Sequence, residues 1–164
     1  MAGESGVLIL LRHALAGAKL ADPELDVVRG LDPSGEATAN VVSDLILEHL
    51  RPTLLLSSPF VRCVDTLRPI AEAVGLPIRT RHGLTPTAPL GACERLLLSA
   101  PDGAVLCTHG EVITRVFEGL DCEKGAFWVV HRDQGRLLPA AYVEAPAFPT
   151  PSNAPLIAGL VGAR

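Results

Sequence analysis

No stretch of the 164-residue chain concentrates basic charge. Its 14 Lys and Arg residues are outnumbered by 18 Asp and Glu, for a formal charge of −4, and they are scattered rather than gathered into a phosphate-tracking face. DNA and RNA are therefore poor partners. Lysine itself is nearly missing: Lys19 and Lys124 stand against twelve Arg, an imbalance that codon bias in a GC-rich genome explains without function. Cysteines at zinc-ligand spacing are lacking too. Cys63, Cys93, Cys107 and Cys122 are far apart, with no C-x-x-C and no partnered His, so free thiols in a reducing cytoplasm are expected. Long apolar runs are also absent. Val7–Leu11 is followed at once by Arg12, with Glu4 where a signal peptide wants positive charge, and the uncharged stretch 147–163 is interrupted by Pro149, Pro151 and Pro155. Neither a membrane span nor a signal peptide is expected, and the expected location is cytoplasmic.

What is present is an ordinary globular composition. Hydrophobic residues make up 48% and charged residues 20%, far from the profile of a disordered or collagenous chain. A single domain of this length buries roughly 70% of the surface its unfolded chain exposes, so neither a disulfide nor a structural metal is required. Three short apolar runs end in polar residues: Val7–Leu11 before Arg12 and His13, Leu54–Leu56 before Ser57 and Ser58, and Ala104–Cys107 before Thr108 and His109. Such runs suit strands buried on both faces, as in a parallel sheet covered by helices.

Asp32-Pro33 predicts a helix start, and Val41, Val42, Leu45, Ile46 and Leu50 continue at helical spacing up to Pro52. A second helix is predicted from Pro59 to Val74, capped by Gly75 and kinked or split by Pro69. Pro77–Arg81 reads as a strand, and Leu90–Ser99 and Val112–Gly119 as helices. Ala126–His131 and Arg136–Val143, joined by Asp133-Gln134-Gly135, read as a hairpin at the sheet edge. The predicted fold is α/β, a three-layer α/β/α sandwich whose mostly parallel sheet carries an antiparallel edge hairpin.

Ligands of open α/β sheets bind beyond the carboxyl ends of the strands, which brings together Arg12-His13, Ser57-Ser58-Pro59 with Arg62, and Thr108-His109-Gly110. A single Arg-His pair, or His109 alone, is ordinarily a salt-bridged or hydrogen-bonded structural residue. Agreement among three strand ends shifts the balance toward a site. Arg12 and Arg62, with no acidic cluster near them in the sequence, suit an anion, because guanidinium forks match phosphate oxygens at about 1.5–3 kcal/mol per charge-assisted bond. Gly110 at a helix start adds backbone N–H groups. An unprotonated imidazole beside the phosphate can attack phosphorus and form a phosphohistidine, and nearby guanidinium charge helps to keep it unprotonated. A second histidine, if protonated, would add positive charge against the equatorial oxygens. Metal chemistry fits poorly: His13, His49, His82, His109 and His131 contain no H-x-x-x-H pair, and arginines stand where carboxylate ligands would be needed. No metal and no cofactor is expected.

Leu10-Leu11-Arg12-His13-Ala14 resembles the Arg-His-Gly or Arg-His-Ala motif of the histidine phosphatase (phosphoglycerate mutase-like) superfamily. Arg29-Gly30-Leu31-Asp32-Pro33-Ser34-Gly35 is similar to its Arg-Pro-Leu-Thr-x-x-Gly motif, Ser57-Ser58-Pro59 through Arg62 to Thr66 to its Ser-Ser-Pro-x-x-Arg-x-x-x-Thr segment, and Thr108-His109-Gly110 to its second-histidine motif. The pattern is most similar to the short branch of bacterial phosphohistidine phosphatases that act on histidine-containing phosphotransfer domains. The resemblance implies that His13 is the phosphorylated nucleophile, that Arg12 and Arg62 clamp the phosphate, and that His109 is the second histidine. It also implies a histidine phosphatase-like domain over 1–145, followed by a Pro/Ala-rich tail, 146–164. The activity implied is a metal-independent phosphatase working through a phosphohistidine intermediate, on protein phosphohistidine or small phosphorylated compounds.

A second resemblance competes. Ala16-Gly17-Ala18-Lys19 and Cys107–Ile113 are similar to the phosphatase domain attached to some Nudix hydrolases, which implies a nucleotide or polyphosphate substrate whose outer phosphates Lys19 and Arg29 would touch. As solvated surface charges the same two residues are explained at least as well. One departure from the family matters: many members carry a general-acid Glu or Asp where this chain has Gly83-Leu84-Thr85-Pro86-Thr87-Ala88-Pro89. Phosphohistidine phosphatases resemble this carboxylate-free stretch, and an imidazole leaves phosphorus readily whereas an alkoxide needs a positioned acid. Phosphoglycerate mutase activity is correspondingly disfavoured. Glu111 is either a substitute acid or a first-turn residue favoured by the helix dipole. A phosphate-binding module of low turnover is the rival from outside catalysis.

Overall fold

The computed structural model describes residues 5–146, so the tail assigned to 146–164 lies outside the described residues except for Pro146. The strands are β1 (Gly6–Arg12), β2 (Leu54–Ser57), β3 (Ile78–Thr80), β4 (Ala104–Thr108), β5 (Phe127–Asp133) and β6 (Arg136–Val143). The helices are α1 (Pro23–Val27), α2 (Pro33–His49), α3 (Val61–Val74), α4 (Ala92–Ser99) and α5 (Gly110–Val116). One six-stranded sheet has the order β3-β2-β4-β1-β5-β6, parallel from β3 through β1 and antiparallel at β5 and β6. The α/β sandwich with its edge hairpin is thus the architecture adopted.

The apolar runs explain the layering. Alternation along β1 sends Leu8 and Leu10 to one face, where they pack with Leu56, Leu106, Leu97 of α4 and Ile113 of α5. Ile9 and Leu11 face the other way, onto Val42 and Ile46 of α2 and Leu67 and Ile70 of α3. Burying a side chain of this size stabilises by about 1.5–3 kcal/mol, and both faces contribute. Asp32 caps α2 through its carboxylate on the Gly35 N–H at 2.7 Å, and Gly75 ends α3 at φ 72°.

Two elements differ from the sequence-based expectation. Pro69 neither splits nor ends α3, which runs through it as one 14-residue helix. Tertiary packing overrides the missing hydrogen bond there, because Arg62, Cys63, Thr66, Leu67 and Ile70 line a buried face on both sides of the proline. Helix α1 has no counterpart among the elements the sequence predicts. It begins with Asp22-Pro23, the same start signal as α2, but spans five residues and buries none but Asp26, so no apolar period marks it. Together with its flanks it forms a strap after β1, closed at the base by the Ala16–Leu31 bridge and by the Asp32 N–H on the Leu15 carbonyl at 3.0 Å. Gly35 permits this closure, since a Cβ there would lie 1.9 Å from the Leu15 oxygen. Among the described residues no helix is long and apolar enough to cross a membrane.

Candidate active site

Strand register delivers the polar residues to one rim. Arg12 lies beside Thr108 in the β1–β4 ladder, and the pairing continues one step further, with His13 N–H donating to the Thr108 carbonyl at 3.1 Å and Ser58 N–H to that of Cys107 at 3.0 Å. The rings of His13 and His109 come within 5.4 Å, edge to face. Helix α3 then presents Arg62 from its first turn. Phe60 packs against both sides of this group, its ring 4.7 Å from that of His109 and 4.8 Å from the Arg62 guanidinium carbon. Thr66 ties the helix to the loop: its hydroxyl accepts the Ala14 N–H at 3.0 Å and donates to the Arg62 carbonyl at 2.7 Å.

The two histidines have distinct hydrogen-bond roles. His13 Nδ1 lies 2.8 Å from the Ala14 carbonyl oxygen. A carbonyl only accepts, so Nδ1 carries the proton and Nε2 keeps its lone pair. Burial lowers the His13 pKa to about 4, opposed by the Ala14 bond and reinforced by Arg62 and Arg12. Guanidinium charge, which the sequence suggested as the cause, is thus secondary to desolvation. His109 is 1% exposed, with Nε2 2.9 Å from Ser58 Oγ and 3.6 Å from Cys63 Sγ. Its pKa falls to about 3, first through burial and then through His13, Arg62 and Arg12. The protonated second histidine considered from sequence is therefore not the resting state; in the free site both imidazoles are neutral at pH 7.

Both arginines are anchored by one nitrogen and leave another unpaired. Arg12 Nη1 donates to the Cys122 carbonyl at 2.8 Å, and Arg62 Nη1 to the Asp26 carbonyl at 3.0 Å. The Nε of each is buried without a hydrogen-bond partner. A buried, unpaired charged donor costs several kcal/mol unless an acceptor meets it, so these two N–H groups call for an anion. Gly110 makes room for one of them, because a Cβ there would lie 2.8 Å from the Arg12 guanidinium carbon. Gly110→Ala is accordingly expected to displace Arg12 and lower turnover about 100-fold with the fold intact, as judged by steady-state kinetics beside circular dichroism.

Asp26 is the site residue that the sequence did not reveal. Its carboxylate accepts from the Leu20 N–H at 3.0 Å and from Arg29 Nε at 2.8 Å, and lies 3.4 Å from Arg62 Nη1. The Arg29 bond leads in lowering its pKa to about 2, so it is ionised. The Asp26-x-x-Arg29 spacing of an i,i+3 pair was the available signal. Arg29 uses Nε on Asp26 and Nη1 on the Gly17 carbonyl, both within the strap, while Lys19 is exposed. Glu111 is also exposed, lining a cleft with Arg12, Gly110, Cys122 and Glu123. The segment 83–89 approaches the site floor through its Leu84 carbonyl, which accepts from Thr108 Oγ1 at 2.6 Å, and brings no carboxylate. Among the described residues no three of His, Cys, Asp and Glu cluster as metal ligands.

This combination of sheet, paired histidines and two arginines with buried, unpaired Nε groups defines a phosphatase class. The chain belongs to the histidine phosphatase superfamily: the pattern of its branch 1 matches residues 8–88, which include Arg12, His13 and Arg62, with His109 beyond them. Solved structures agree on the fold. The protein histidine phosphatase SixA complexed with tungstate superposes with a TM-score of 0.71 at 19% identity, over 85% of this chain and 97% of that one. A structure described as phosphohistidine phosphatase SixA from Agrobacterium tumefaciens has a TM-score of 0.69 at 25% identity, over 84% of this chain and 97% of that one. A mycobacterial glucosyl-3-phosphoglycerate phosphatase is similar as well, with a TM-score of 0.66 at 16% identity, over 88% of this chain and all of the other. No curated protein sequence matches the chain.

Proposed function

We propose that this protein is a metal-independent phosphatase in which His13 is the nucleophile, Arg12 and Arg62 hold the phosphoryl group, and His109 lies beside it. The observation that carries this reading is the pair of buried, unpartnered guanidinium N–H groups beside an imidazole whose Nδ1 is committed to Ala14. His13 Nε2 attacks phosphorus, the substrate's leaving group departs with its bonding electrons, and water then attacks the phosphohistidine to release phosphate and restore neutral His13. Arrival of a phosphoryl dianion reverses the local field and favours a protonated His109 as charge shifts to the equatorial oxygens.

Protein phosphohistidine is the substrate class best supported. The carboxylate-free segment 83–89 favours a leaving group that departs without an acid, and the SixA structures belong to proteins described as histidine or phosphohistidine phosphatases. Leu15, Leu20, Leu25 and Val28 of the strap are exposed, which suits a macromolecular substrate better than a small one. The nucleotide reading has less support, since Arg29 is engaged within the strap. In excess EDTA, a phosphorylated phosphotransfer domain and aryl phosphates are expected to turn over far faster than alkyl monoesters, with nucleoside polyphosphates between. A leaving-group series that is flat in the native enzyme and steep in Glu111→Gln would instead identify Glu111 as a general acid.

A further inference from the structure

The Asp26 carboxylate occupies an unexpected place for an anion. It is 6% exposed, carried on the short helix of the strap, and lies 3.4 Å from a guanidinium nitrogen of the proposed phosphate clamp. The same Arg62 Nη1 also donates to the Asp26 backbone carbonyl at 3.0 Å, so one residue grips Arg62 by both main chain and side chain. Arg62 Nε stays unpaired on the other edge of the guanidinium. A phosphoryl group that meets Nε must therefore share Arg62 with a carboxylate already in place. Glu111 is exposed to solvent, where its charge is screened, whereas Asp26 is covered by its neighbours and touches Arg62 directly.

We propose that Asp26 is a positioning and charge-tuning residue of the clamp: it holds Arg62 at its angle and offsets part of its charge, so that the inorganic phosphate product is not retained. The proposal rests on Arg12 and Arg62 binding phosphate, as argued above. The guanidiniums carry permanent positive charge against the phosphate oxygens. Removing a buried negative charge from among them strengthens attraction for every oxyanion, product included. A purely structural role has the opposite sign, because a loosened Arg62 binds phosphate less well.

The test is the affinity for orthophosphate, read as a competitive inhibition constant and by calorimetry, in the wild type, Asp26→Asn, Asp26→Ser and Asp26→Glu. Asp26→Asn keeps an oxygen for the Leu20 amide and loses the charge; orthophosphate is expected to bind roughly tenfold more tightly, given one unit charge removed at short range in a partly buried site. Turnover should fall at the same time as product release slows. Asp26→Ser carries the same expectation should the Asn variant fail to fold. Asp26→Glu retains the charge and should not tighten orthophosphate binding, while kcat falls through misplacement of Arg62. Unchanged or weaker orthophosphate binding in both neutral variants overturns the proposal. Absence of orthophosphate binding in the wild type, with no change in Arg62→Lys, overturns the reading of the clamp itself, and so separates the two failures.

Discussion

His13→Ala is expected to abolish both turnover and the covalent intermediate. Single turnover of the native enzyme, quenched in alkaline detergent, should trap a phosphoryl group that survives alkali and is lost in acid, the lability of a phosphorus–nitrogen bond. Label on Ser58 or Cys63, which lie beside His109, would overturn the assignment of the nucleophile. The pH dependence follows from the same burial. With the His13 pKa lowered to about 4, the nucleophile stays unprotonated through neutrality, so kcat/KM should lose activity on acidification only toward that value. Stability responds earlier. Unfolded histidines protonate near 6.5, and the folded pKa values of about 4 and about 3 mean that the unfolded chain binds more protons below that point. Folding stability therefore falls as pH drops through the window between the unfolded and folded values.

Arg62→Lys is expected to lower turnover by roughly 10²–10³-fold while leaving the fold intact, since lysine keeps the charge and loses the fork. In the native protein Arg62 reaches Asp26 with one nitrogen and keeps Nε unpaired; an ammonium has no second N–H group in that fork geometry. Thermal denaturation checks the binding half of this expectation. Vanadate at about 100 times its Kd should stabilise the native protein by about 2.7 kcal/mol, and the variant by much less at the same concentration. Equal shifts in the two proteins would place Arg62 outside the phosphate site. A lost shift with full activity would separate binding of vanadate from catalysis.

Much of this molecule is legible in its sequence. Val7–Leu11, Leu54–Leu56 and Ala104–Cys107 are apolar at every position because each strand is buried on both faces, and that pattern implies the parallel sheet and its two helical layers. Arg12, His13, Ser58 and His109 follow those runs directly, so local order placed them at strand ends. The turn Gln134-Gly135, with φ of 49° and 76°, was likewise marked by its residues. Pro69 misled, because the local rule about its missing N–H takes no account of the buried face that holds α3 together.

The electrostatics of the site belonged to the tertiary structure. The sequence places no acidic cluster beside Arg62, yet Asp26, 36 residues away, supplies a carboxylate through the strap. No periodicity marks so short a helix, and a surface acid and a buried one are written with the same letter. The neutral state of both histidines is also a tertiary property, since desolvation leads each pKa shift and burial exists only once β1, β4 and α3 have come together. Residue types and their order along the chain determined which groups reach the rim. Packing decided their charge, their free hydrogen-bonding edges and the neighbours they share, because those depend on distances of a few ångströms that close only in the folded state.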